Sequence, residues 1–137
     1  MIEATSAPEI AFAVKSPLAK YIVICLDPDG PFPSFNVLSP ILHWIQSDFK
    51  VAASTDTLTT TEPFIANYIG PGPPPGSFPH RYVFLLYEQP SDFNSRDHAP
   101  PGGKPFGTWA RMRWDLPAWE KRAKLDRPVA VGYFTSN

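Results

Sequence analysis

The chain has 137 residues, enough for one domain spanning 1–137 and for a core that needs no staples. Its 43% apolar and 14% aromatic content excludes a disordered chain, and 18 prolines with 8 glycines disfavour long helices. A net charge of -1 offers no general attraction for nucleic acid or an anionic membrane, and a lone Cys25 cannot close an internal disulfide.

In chain order, Ile10–Val14 alternates weakly and is expected to form a strand. Tyr21–Leu26 (YIVICL) is short, continuous and β-branched, the pattern of a strand buried on both faces. It runs into Asp27-Pro28-Asp29-Gly30-Pro31, a dense turn signal, and then a loop over Phe32–Pro40. Ile41–Ile45 and Phe49–Ala53 form one irregular strand or two pieces, and Ser54–Glu62 reads as a polar, Thr-rich connection. Phe64–Ile69 is a further strand candidate, and Gly70–Pro79 is a rigid Gly/Pro loop.

Arg81–Tyr87 (RYVFLLY) is the strongest strand, and Pro90–Thr108 the most loop-like stretch. Asp115 as a cap and Pro117 in the first turn predict a helix through Leu125, with Trp114, Trp119 and Ala123 facing inward. Val129–Phe134 closes the chain as a strand. Short strands separated by turn signals indicate a mainly β, antiparallel sandwich with one or two short helices.

Chemistry is expected where polar groups interrupt this pattern. Asp27 and Asp29 directly follow a buried strand, His43 lies in an apolar stretch, and His80 opens the strongest strand. His80 and Tyr82 share one face of that strand; Tyr87 points to the other. Two imidazoles and a phenol supply donors for an anionic oxygen, while a carboxylate orients a histidine or accepts from a ligand hydroxyl or ammonium. Taken singly, Asp27 also reads as a turn residue and His43 as a satisfied core histidine. His98, beside Arg96 and Asp97, reads as solvated surface, as does the basic set Arg111, Arg113, Lys121, Arg122 and Lys124. The histidine and carboxylate spacing matches no compact metal motif, so neither metal nor cofactor is expected.

The same blocks resemble the phosphatidylethanolamine-binding protein family. DPDGP at 27–31 resembles the family's first signature, usually DPDAP, and LHWI at 42–45 the histidine-bearing strand after it. NYIGPGPPPG at 67–76 resembles the loop before the second signature, and HRYVFLLYEQ at 80–89 that signature itself. Residues 114–125 and 128–134 resemble the family's short helix and closing strand. Departures are Gly30 for alanine, Leu42 where many animal members carry histidine, a short Phe32–Pro40 loop, and shortening at both ends.

The resemblance implies a large antiparallel sheet packed on a smaller one. It implies a pocket for phosphate, phosphorylethanolamine or a related anion, lined by Asp27, Asp29, His43, His80 and Tyr82 with Pro31 at the rim. It also points to a cis peptide near the first signature, with Asp27-Pro28 the candidate. A ligand-binding modulator is the first functional reading, and no cofactor follows from it. The alternative is an enzyme, or an enzyme-assisting protein of fungal-type secondary metabolism, with His43 or His80 as general base and Asp27 orienting it. Expected partners are a small anion and a protein partner or second copy, with no nucleic acid. No apolar run approaches a membrane span and no secretory pattern opens the chain, so a cytoplasmic location without integral membrane association is expected.

Overall fold

The computed structural model describes residues 6–13, 18–52 and 55–137. Among the described residues six strands are joined in one antiparallel sheet: β1 (Ile10–Ala11), β2 (Tyr21–Asp27), β3 (Ile41–Val51), β4 (Thr57–Thr59), β5 (His80–Glu88) and β6 (Ala130–Ser136). The order is β1-β4-β3-β2-β5-β6. The most apolar strand, β2, lies between β3 and β5, and all seven of its residues are buried. Two short helices follow β5: α1 (Thr108–Arg111) and α2 (Leu116–Arg122).

The sheet has two apolar faces because side chains alternate along each strand. Ile22, Ile24 and Leu26 point to one face and pack with Leu42, Tyr87, Trp119 of α2 and Ala123 just after it. Tyr21, Val23 and Cys25 point to the other, with Trp44, Tyr82 and Leu86. Ile10, Phe12 and Leu58 cover that second face, because the sheet curls its β1–β4 end over its own centre. α2 begins where its cap predicts: the Asp115 carboxylate accepts from the Ala118 amide at 3.1 Å, and Pro117 sits in the first turn. Tyr87 donates its hydroxyl to Glu120 at 3.1 Å and ties the helix to β5.

Several expectations are corrected. β1 stops at Ala11, and Val14 and Ala53 lie outside the described residues. The two apolar runs after Pro40 are one 11-residue strand, β3, and the Thr-rich connection contains the short β4. Phe64–Ile69 is not a strand; it meets β3 through an isolated Ile45–Ala66 bridge and through the Ile65 and Ile69 amides, which donate to the Ile45 and His43 carbonyls. Side chains take two carbonyls within this segment and two just before it. Gln46 donates to the Glu62 and Pro63 carbonyls, Arg111 to Asn67, and His43 to Ile69.

His98 is half-buried and stacks parallel to Phe93 at 5.0 Å, beside Trp119. Of the basic set, Arg113, Lys121, Arg122 and Lys124 are exposed, but Arg111 is 2% exposed. Asp27-Pro28 is trans and lies within an Asx turn, in which Asp27 Oδ1 accepts from the Asp29 amide at 2.7 Å. Among the described residues the cis bonds are Gly30-Pro31 and Ser39-Pro40. A Cβ on Gly30 would meet the tip of the Ile41 side chain, so the family's alanine fits here only if Ile41 changes rotamer.

Candidate functional site

Four of the polar residues singled out above converge where β2, β3 and β5 lie side by side. Asp27 ends β2, and His80 and Tyr82 stand on the same face of β5. His43 reaches that face through an irregularity. Cys25 pairs with Trp44 but Leu26 with Leu42, so His43 is the extra residue of a β-bulge. A bulge re-aims its side chain. His43 lies edge-on to the Tyr82 ring at 5.1 Å.

The cluster is pre-positioned by hydrogen bonds. Asp27 Oδ2 lies 2.8 Å from His80 Nδ1, which donates to it, while Asp27 Oδ1 holds the Asp29 amide. His80 Nε2 is 3.0 Å from the Ser77 hydroxyl at the end of the Gly/Pro loop. His43 Nδ1 donates to the Ile69 carbonyl at 2.9 Å. Tyr82 is 2% exposed, and its hydroxyl has no hydrogen-bond partner of good geometry, although the Gly72 amide approaches it. A buried hydroxyl without a partner costs about 1–3 kcal/mol, so its persistence marks a place where a ligand atom would be welcome.

Asp29 and Pro31 stand differently. The Asp29 carboxylate is taken up by Arg81: Oδ1 accepts from Nη2 at 2.8 Å, and Oδ2 from Nε at 2.9 Å and the backbone amide at 2.8 Å. These bonds to Arg81 hold its carboxyl below the usual carboxylate range, against the opposing effect of burial. Pro31 is half-buried at the cis bond.

A depressed folded pKa contributes stability above the unfolded value of about 3.9, and that stability is lost as pH falls through the folded pKa. Arg81→Met is therefore expected to raise the Asp29 pKa and to move the onset of acid unfolding to higher pH. Carboxyl NMR titration and pH-dependent urea unfolding check this; unchanged acid unfolding in the variant contradicts it.

Arg111 is the residue that sequence reasoning missed. From α1 it donates to the Leu42 carbonyl at 3.1 Å, to the Phe106 carbonyl at 3.2 Å, and to Asn67 at its carbonyl (3.0 Å) and Oδ1 (2.7 Å). It thereby fixes the backbone on both sides of the His43–Ile69 bond. Burial lowers its own pKa, and its charge joins burial in lowering that of His43. No local sequence signal sets it apart, since Arg113 shares its place just before the Asp115 cap. Burial pushes the Cys25 thiol up, which removes it as a nucleophile near neutral pH.

Among the described residues no three His, Cys, Asp or Glu side chains converge on a point that could hold a metal ion. No described helix is long and apolar enough to cross a membrane. Clefts of about 780 and 350 Å³ lie elsewhere on the surface, and neither is lined by Asp27, His43, His80 or Tyr82.

The family model described as phosphatidylethanolamine-binding protein matches residues 2–134. The chain belongs to that family. The carboxypeptidase Y inhibitor of Saccharomyces cerevisiae is 31% identical over 127 residues, covering 83% of this chain and 58% of the yeast protein. The phomoidride biosynthesis cluster protein N of Talaromyces stipitatus is 35% identical over 101 residues, covering 69% of this chain and 48% of its own. The crystal structure of carboxypeptidase Y inhibitor complexed with the cognate proteinase superposes with a TM-score of 0.74 at 27% identity, covering 96% of this chain and 71% of that one. The chain thus spans roughly half the length of these two curated relatives. In its mainly β, antiparallel fold Asp27, His80 and His43 stand at the ends and the bulge of the central strands.

Proposed function

We propose that the chain is a small-anion binding protein of the phosphatidylethanolamine-binding family that acts as a modulator of a protein partner. The observation that carries the reading is the unpartnered, buried Tyr82 hydroxyl set beside His43 and the Asp27–His80 pair. Asp27, His43, His80 and Tyr82 line the site, Asp29 steadies its rim through Arg81, and Pro31 stands beside it. The ligand is a phosphate-type or carboxylate anion, and the partner class is suggested by the inhibitor relative.

A second reading is favoured by the biosynthesis-cluster relative. In it the same site assists conversion of an anionic metabolite, with His80 as the general base that Asp27 orients. Turnover separates the two, since a binding module leaves its ligand unchanged.

Tyr82→Phe tests the site directly. Removing an unpaired buried hydroxyl is expected to leave the fold unchanged or more stable by about 1 kcal/mol. The affinity for inorganic phosphate, read by NMR titration, is expected to fall about tenfold, the worth of one charge-assisted hydrogen bond. Unchanged affinity in the folded variant rejects Tyr82 as a ligand group.

A further inference from the structure

His43 is held with its Nδ1 on a backbone carbonyl, which leaves Nε2 open. The Ile69 carbonyl can only accept, so Nδ1 carries the ring proton, and a neutral ring then presents a lone pair at Nε2. Among the described residues no group donates to that lone pair. The charged and titratable groups facing the ring are Tyr82 and His80 from β5, Asp27 from β2 and Arg111 from α1. Burial, Arg111 and His80 oppose a second proton on the ring; the Ile69 bond and Asp27 favour one, and the net effect is a lowered pKa.

Next to this acceptor stands a donor without an acceptor, the Tyr82 hydroxyl. The Asp27 carboxylate adds negative charge, and both its oxygens are already engaged. A fully deprotonated dianion entering here would meet one donor, one lone pair and a carboxylate. A ligand with an acidic hydroxyl next to an acceptor oxygen would satisfy both open groups at once.

We propose that the site takes its anion in singly protonated form: a P–OH group donates to His43 Nε2, while a neighbouring phosphate oxygen accepts from the Tyr82 hydroxyl. The ligand class is a tetrahedral phosphate monoanion, whether free or in a monoester headgroup. The inference rests on the anion-site reading above and adds where the proton resides.

Proton uptake alone cannot locate that proton, because a dianion on an imidazolium and a monoanion on a neutral ring carry the same number of protons. Sulfate breaks the equivalence, being tetrahedral, similar in size and unprotonated near neutral pH. The test is a titration of the ¹⁵N-histidine-labelled chain with inorganic phosphate, phosphorylethanolamine and sulfate between about pH 6.5 and 8.5, a range placed above the ordinary histidine pKa.

The expected result has three parts. Phosphate affinity falls about tenfold per pH unit once the ligand's second proton is lost. Phosphorylethanolamine, whose monoester proton leaves near about pH 6, loses affinity at lower pH than inorganic phosphate does. His43 Nε2 keeps the shift of a neutral, hydrogen-bonded nitrogen in the complex, and sulfate binds more than about tenfold more weakly than phosphate at the acid end.

Sulfate binding as tightly as phosphate with His43 turned imidazolium, or a pH-independent phosphate affinity, overturns this inference and leaves the anion site standing. No binding of any of the three probes overturns both. Binding of phosphorylethanolamine but not free phosphate, with the same pH profile and a neutral His43, supports the inference and assigns the headgroup as the source.

Discussion

Arg111→Met is expected to lower the unfolding free energy by about 3 kcal/mol. The substitution nearly preserves volume and removes every donor, so the Leu42, Asn67 and Phe106 carbonyls lose their buried partner. Each orphaned acceptor costs about 1–3 kcal/mol, and relief from burying a cation offsets part of the sum. The offset is small because the guanidinium is already solvated by its carbonyl cage. Arg111→Lys recovers only part of the loss, since an ammonium lacks the planar fork that reaches several acceptors at once. Urea unfolding reads the stability. The His43 ring and Ile69 amide resonances read the site, because the cage holds the backbone on either side of their bond. A loss below about 1 kcal/mol would mean that water replaces the guanidinium.

Trp119→Ala is expected to cost about 3–5 kcal/mol, the range for truncating a large buried aromatic. Trp119 is 1% exposed and plugs α2 into the face formed by Ile22, Ile24 and Tyr87. Phe93 and His98 pack against it, so the 90–108 connection is expected to lose its anchor as well. Trp109, 82% exposed, is the internal control, and its replacement by alanine is expected to change stability by less than about 0.5 kcal/mol. Because Trp119 and Tyr82 pack on opposite faces, the folded fraction of Trp119→Ala is expected to match the parent chain in the phosphate titration proposed above. Loss of affinity in that fraction would show that the two faces are coupled.

Local chemistry was legible where it is self-contained. YIVICL is apolar at every position, and only a strand flanked on both sides buries all of it, as β2 does. Asp115 and Pro117 mark a helix start from within a single turn, and the structure has it there. His80 and Tyr82 share a face through the two-residue period alone.

What failed depended on partners far away in the chain. The apolar residues of Phe64–Ile69 suggested a strand, yet Arg111 and His43 occupy its Asn67 and Ile69 carbonyls, and Gln46 takes those of Glu62 and Pro63 just before it. The Thr-rich β4 carried no apolar signal, because Leu58 is its single buried residue. Arg111 read as solvated because nothing near it in sequence hints that carbonyls 44 and 69 positions earlier in the chain close around it.

By itself the sequence determined the fold class, the family and the central strand, and it singled out the polar residues of the candidate site. These follow from apolar runs, turn chemistry and motif order, all properties of contiguous segments. Tertiary structure alone decided which way His43 points, since a bulge exists only in the pairing of β2 with β3. Pairing likewise left Asp29 to Arg81 while Tyr82 stayed without a partner. Hydrogen bonds between distant segments are settled by where the folded backbone places donors and acceptors, and no local pattern encodes that geometry.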